Sequence, residues 1–294
     1  MNMLAQICFN ILVSFSIYLL ISTSFSIIYN SVKFFHFAHG AIISLGAYFS
    51  YFFYLQLNLP LFIAIPFTVF LSIFVSLLIE LLIYRPLKRR KVSSLSLLIV
   101  SLGIYIVLQN VISLIWSDGV KSIVKNEIET GTEIFGAHIT NIQIVTIGLS
   151  CIIFLIKMLF LQFHKIGRNI RAISTNTELA NIMGINSNRI ILWSFAIGSG
   201  IASIIGVLVA ADTGLTPTMG FSLLLYGVVV MIISGIGSNW GLIGGALLLA
   251  TIQHLTAFFL DGKWIDAITY SILILFLIWK PLGFSGKRLK KTEI

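Results

Sequence analysis

Charge is scarce in this sequence. Asp, Glu, Lys and Arg supply 10% of its 294 residues, while 58% are hydrophobic and mean hydropathy is +1.03. A soluble domain carries roughly 25% charged residues. This chain has too little polar side chain to cover a globule, so its solvent is lipid. Lipid offers no hydrogen bonds, which leaves helices or closed barrels as spanning structures. The ten-residue alternating segments of a barrel are missing. The apolar runs are about 20 residues long, which selects helices.

Cysteine is nearly absent. Cys8 and Cys151 lie in apolar runs with no CxxC spacing and no ligand cluster around them, so they predict neither a disulfide nor a metal site. The Walker A pattern, HExxH, GxSxG and paired carboxylates are all lacking. The chain therefore predicts no enzyme activity, no ATP site of its own and no cofactor. A positive n-region is also missing, since the first basic residue is Lys33. The first apolar run is expected to stay as a membrane helix rather than leave as a signal peptide.

What charge there is follows a pattern. Spans are expected at about 4–29, 34–56, 60–83, 94–117, 141–163, 190–211, 222–239, 241–260 and 265–280. The connections alternate in sign. Arg85–Ser93, His164–Arg189 and Lys280–Ile294 hold 14 Lys/Arg against Glu178 and Glu293. Asp118–Thr140, Asp212–Phe221 and Asp261–Asp266 hold only Lys121, Lys125 and Lys263 against seven acids. Such an imbalance marks the basic segments, and the C-terminus with them, as cytoplasmic. The net charge of +9 is thus a topology and lipid-headgroup signal. It is not a nucleic-acid patch, which would interleave aromatics with basic residues on a soluble surface.

One basic segment is organised. In "GRNIRAISTNTELANIMGIN" (Gly167–Asn186), Thr175 and Glu178 have capping-box spacing. Leu179, Ile182 and Met183 then share one helix face, and Gly184 stands where a C′ glycine ends a helix. Two turns are unstable alone, so this helix must dock. It lies on the membrane, or it fits a groove on a cytoplasmic partner.

The stretch Gly167–Leu208 resembles the cytoplasmic loop of permeases from branched-chain amino acid ABC importers. Three further stretches agree in order: "HFAHGAIISLGAY" (His36–Tyr48), "YRPLKRRK" (Tyr84–Lys91) followed by "LQN" (Leu108–Asn110), and "SGIGSNWGLIGG" (Ser234–Gly245) running to "KPLGFSGK" (Lys280–Lys287). The likeness covers nearly the whole chain and is greatest to the first-type permease. It implies an inner-membrane subunit that partners ATP-binding cassette subunits, a second permease (a different chain) and an extracytoplasmic solute-binding protein. It also implies a coupling helix for the ATPase. Residue by residue, that role falls on Arg168, Arg171, Thr175, Glu178, Leu179, Ile182, Met183 and Gly184.

Other polar or small residues interrupt the apolar runs. His36 and His39 are three apart, yet no Cys or acid beside them completes a metal site. "FAHG" reads instead as a tight-packing or helix-break element near a pathway that involves Phe37, His39 and Gly40. Gly40 allows close backbone approach there, and a broken helix can turn its N-terminal dipole toward a carboxylate. Gln109 and Asn110 either line a path or bond a neighbouring helix. Gly198, Ala202, Gly206 and Ala210 form a small-residue packing stripe. The cluster Gly235, Gly237, Gly241, Gly244 and Gly245 marks a helix break or a close crossing. Glu80, Lys33, Lys157 and Asp212 fall near span ends. Ion-coupled carriers keep buried acids as relays, so their absence at span centres argues for energy supplied from outside.

The expectation is an all-α, polytopic transmembrane bundle of about 8–9 spans with a cytoplasmic coupling helix, as one permease domain over residues 1–294. The expected function is translocation of branched-chain or related amino acids. The alternatives are a stand-alone secondary carrier or a channel for a small polar solute.

Overall fold

The computed structural model describes residues 3–123 and 131–284. Helix α1 is Met3–Val32, α2 is Ala38–Tyr51 and α3 is Leu61–Ile79. Helix α4 (Arg85–Arg89) prolongs α3 through a π-turn at Glu80–Tyr84, and α5 is Ser94–Trp116. A hairpin of β1 (Thr132–Ile134) and β2 (Ala137–Ile139) precedes α6 (Asn141–Phe163). Then follow α7 (Lys165–Thr175), α8 (Thr177–Ile182), α9 (Ser187–Thr213), α10 (Met219–Ser234), α11 (Asn239–Phe259) and α12 (Ile265–Trp279).

Each of the nine expected spans falls on a helix, although 34–37 and 235–238 lie outside one. Among the described residues, seven helices are long and apolar enough to cross a membrane, Leu61–Arg89 among them as one rod. The other two are α10 and α2, the latter extended by a π-turn at Phe52–Gln56. The polytopic all-α reading holds, with one short antiparallel hairpin added to it.

The chain forms two compact units. Residues 27–129 and 159–225 make one. At its centre α2 is buried on almost every side and packs against α3, α5 and α9. Apolar burial gives helices little reason to associate within lipid, so close backbone packing and polar contacts must hold them. Both are present. A Cβ on Gly46 would lie 2.6 Å from Ser203 Cα, and one on Gly206 would overlap the Ile43 carbonyl. The small-residue stripe of α9 therefore serves packing against α2. Ser31 and Ser194 meet at 2.6 Å, and Ser199 donates to Ser76 at 2.5 Å.

The other unit comprises residues 1–26, 130–158 and 226–294. Here Tyr18 donates to Gln253, whose amide donates to Thr269 at 3.0 Å. Lys157 is buried, and its ammonium bonds Asn239 Oδ1 at 2.7 Å and Ser26 Oγ at 3.3 Å.

Burial adds something that position along a span does not show. Lys157 and Glu80, expected near span ends, are both buried. Hydropathy hides this, because one ion in an apolar run barely changes the mean. Glu80 pairs with Lys88 at 2.5 Å. Eight residues are about 2.2 turns of an α-helix, and the wider π-turn between them absorbs the excess, bringing both onto one face.

Candidate functional site

The first region is the break after α1. Helix α1 stops at Val32, and Lys33 takes a left-handed φ of 58°. Its ammonium donates to Ser174 of α7 at 3.3 Å, and desolvation there lowers its pKa. Backbone released from a helix inside a membrane protein needs new partners, and Ser101 of α5 provides them. Its hydroxyl accepts from the Phe37 N–H at 3.1 Å and lies 3.1 Å from the Phe35 carbonyl. The chain then turns into α2 through His39 N–H to His36 O and Gly40 N–H to Phe37 O.

Both histidines are fully buried. His36 Nδ1 lies 2.9 Å from the Tyr84 hydroxyl, and the His36 ring packs against Tyr84, Phe195 and His39. No group of three metal-ligating side chains occurs among the described residues.

Gly40 meets Gly220 of α10 backbone to backbone. A Cβ on Gly40 would lie 2.9 Å from the Gly220 carbonyl oxygen, and one on Gly220 would overlap the Gly40 carbonyl. Ser44 ties the crossing, accepting from Gly220 N–H and donating to the Pro217 carbonyl, each at 3.1 Å. Phe37 faces Phe221, which stacks obliquely on Tyr105 at 4.8 Å. Phe37 and Gly40 thus meet the start of α10, while the His39 ring packs on His36.

Gln109 and Asn110 are elsewhere. Asn110 is exposed on α5, and its amide donates to the Ile106 carbonyl of its own helix at 2.7 Å. Within this chain it neither lines a buried path nor bonds a neighbouring helix. Gln109 beside it is half-buried.

The second region is the loop between α6 and α9, which holds two helices where one was expected. Helix α7 carries Ile170 and Ile173 inward, with Arg168 and Arg171 on its exposed side. His164 caps it by accepting from Ile166 N–H at 3.3 Å, and Gly167 sits where a Cβ would overlap the Phe160 carbonyl. Leu161, Ile170, Ile173, Ala180 and Ile190 form a small core that fastens α7 and α8 to the ends of α6 and α9.

The capping box does not form. Asn176 caps α8, its Oδ1 accepting from Leu179 N–H at 3.0 Å. Thr175 closes α7 and donates to the Arg171 carbonyl, while Glu178 is exposed in the first turn of α8. Asparagine is as good a cap as threonine, and α7 had already claimed Thr175. Gly184 does end the helix, at φ +84°. The expected apolar face points outward: Leu179 is 56% exposed, Ile182 82% and Met183 77%.

The third region lies in the other unit. Gly235 and Gly237 adopt φ of +88° and +89° in the turn between α10 and α11. A Cβ on Gly241 would overlap the Ser234 carbonyl, and one on Gly245 would lie 2.9 Å from the Val230 carbonyl. The glycine cluster is both a break and a close crossing. Phe284 N–H donates to the Ile233 carbonyl at 2.9 Å, and a Cβ on Gly283 would run into Gly235. Two stretches far apart in sequence are thereby joined.

Residues 7–277 match the family model described as the permease component of the branched-chain amino acid transport system. The chain belongs to this family. The high-affinity branched-chain amino acid transport system permease protein LivH of Escherichia coli (strain K12) is 29% identical over 287 residues, with 92% of each chain covered. Its counterpart in Salmonella typhimurium gives the same identity and coverage. BraD of Pseudomonas aeruginosa, a permease protein of the same kind, is 28% identical over 285 residues, again covering 92% of each. This permease is thus a multi-pass membrane component of a transport system.

Several contacts of the permease's polar interior have no local sequence signal: His36–Tyr84, the Ser101 bonds, Glu80–Lys88 and Lys157–Asn239. Tyr84 lay in a quoted stretch, but nothing in its local pattern marks His36 as its partner. Helix α7 had a signal, since Ile166, Ile170 and Ile173 recur at i, i+4, i+7.

Proposed function

We propose that this permease is the membrane-spanning subunit of an ABC importer for branched-chain or related amino acids, driven by ATP hydrolysis on separate subunits. The observation that carries the reading is the outward face Leu179–Ile182–Met183 on a helix anchored through Ala180. Three large apolar side chains beside a basic, lipid-proximal loop are costly to leave in water. A groove on an ATP-binding cassette subunit removes that cost, and Arg168, Arg171 and Glu178 frame the contact. The solute class follows the names of the relatives.

In this reading the Arg85–Ser93, His164–Arg189 and Lys280–Ile294 segments face the cytoplasm. Residues 1–294 act as one permease domain. A solute-binding protein delivers solute to the opposite side. ATP-driven closure of the cassette subunits moves α7 and α8, and the movement reaches the break through the Lys33–Ser174 contact. Phe37, His39 and Gly40, with Gly235 and Gly237, adjoin the pathway. Gln109 and Asn110 serve it only where α5 meets a second, different permease chain, because their side of α5 faces outward. Buried Glu80 is no proton relay here, since Lys88 neutralises it.

The test is affinity purification of the tagged permease from its native membrane in mild detergent, beside a Leu179→Asp variant. An ATPase that accompanies the wild type and is lost from a folded variant supports the reading. A folded wild type that carries no ATPase overturns it in favour of a stand-alone carrier or channel.

A further inference from the structure

The hairpin before α6 ends in an exposed aromatic side chain. Its two central residues, Phe135 and Gly136, have φ of +52° and +80°, the signature of a type I′ turn, which favours Asn–Gly. Phenylalanine is a poor choice there on conformational grounds. It is also a poor choice for solubility, since Phe135 is 87% exposed.

The rest of the hairpin is held firmly. Ala137 and Ile139 are buried. Gln6 of α1 clamps β2 with its amide, donating to the His138 carbonyl at 3.0 Å and accepting from the His138 N–H at 2.9 Å. Glu133 pairs across the ladder with His138, and both are exposed. A rigid mount therefore presents a single large apolar group to the outside.

We propose that Phe135 is a docking knob that enters an apolar recess on the solute-binding protein. The inference rests on the importer reading and its topology, which put the hairpin on the extracytoplasmic side. Charge selects a protein over the lipid surface. The hairpin carries Glu133 two residues from the knob and holds no Lys or Arg. Anionic headgroups repel such a face, whereas a basic rim around an apolar recess fits it. A buried aromatic within a polar rim is also the usual form of an interface anchor.

The experiment uses the complete transporter, with both permeases and the ATPase, in vesicles of phosphatidylethanolamine and phosphatidylglycerol. Purified solute-binding protein is titrated, and stimulated ATPase activity is read. Phe135→Asn suits the turn better than the native residue, so the hairpin keeps its shape and only the aromatic ring is lost. The half-saturating concentration of binding protein rises about tenfold or more, with basal activity and the saturated rate unchanged. Phe135→Tyr stays near wild type. An unaltered response in Phe135→Asn overturns the proposal. So does an altered basal activity with an unaltered response, which places Phe135 in the lipid interface. A wild-type transporter that never responds to binding protein brings down the importer reading, and this inference with it.

Discussion

His36 and Tyr84 hold each other inside the protein: the imidazole Nδ1 lies 2.9 Å from the phenol oxygen, and both side chains are fully buried. The bond joins the break after α1 to the π-turn Glu80–Tyr84. At both, a spanning segment leaves regular α geometry. Tyr84→Phe removes one hydroxyl, keeps the ring in contact with Phe34 and Phe195, and leaves the imidazole nitrogen without a partner. A buried polar atom stranded in this way costs about 1–3 kcal/mol. The variant unfolds in detergent at a lower temperature than wild type. An unchanged melting curve would show that the bond contributes nothing.

Glu80 and Lys88 form an uneven pair. The side chain of Glu80 is 4% exposed, whereas that of Lys88 is 25% exposed. Losing either partner leaves a charge, but the two charges are not equally trapped. Lys88 can swing its flexible stem toward water, while Glu80 cannot. Lys88→Met is therefore the worse substitution, at about 3–5 kcal/mol, the cost of an uncompensated buried charge. Glu80→Gln costs less, and the double variant Glu80→Leu/Lys88→Met recovers most of the loss. Denaturation midpoints of the three proteins give the ranking directly. A Glu80→Gln protein weaker than Lys88→Met contradicts it.

The spans were legible because lipid imposes one rule on every residue: no unpaired backbone in hydrocarbon. Runs of apolar residues and the glycine stops at Gly184 and Gly235 follow from local chemistry alone. The site was legible only in outline. Gly40 was read as a place for close approach, but its partner Gly220 lies 180 residues away and carries no mark of the contact. Thr175 and Glu178 matched a local pattern that the preceding helix then overrode, because Ile170 and Ile173 gain a core by extending α7 through Thr175. Asn110 looked like a pathway residue because amides are rare in apolar runs. Which side of α5 it occupies depends on the burial of Leu97, Ser101, Tyr105 and Ile112, a tertiary fact.

Glycines in one membrane protein need not be equal. Gly220→Ala places a methyl group into the Gly40 carbonyl, so α2 and α10 must separate at their crossing and lose the Ser44 bonds. Overpacking of this kind costs about 1–3 kcal/mol or more, since backbone rather than side chain has to move. Gly103→Ala on α5 meets nothing within 4 Å and gains helix propensity of about 1 kcal/mol. Folded yield after detergent extraction falls for the first and holds or rises for the second. Equal yields would mean the α2–α10 crossing is looser than its geometry.

The short helix α8 depends on its cap more than a long helix does. It has six residues, Thr177–Ile182, which is below the length at which propagation repays nucleation. The Asn176 side chain satisfies one of its first N–H groups, at Leu179. Asn176→Ala removes that acceptor and costs about 1 kcal/mol, a large share of the stability of so small an element. Thr175→Ala removes only a hydroxyl that bonds its own helix one turn back. Hydrogen exchange at the Leu179 amide therefore quickens several-fold in Asn176→Ala and stays near wild type in Thr175→Ala. The two variants also separate in function. Fraying of α8 misplaces Leu179, Ile182 and Met183, so Asn176→Ala weakens ATPase binding while the anchoring cluster of Ile170, Ile173 and Ile190 persists. The opposite order, with Thr175→Ala the more damaging, would restore the capping box as the true start of the helix.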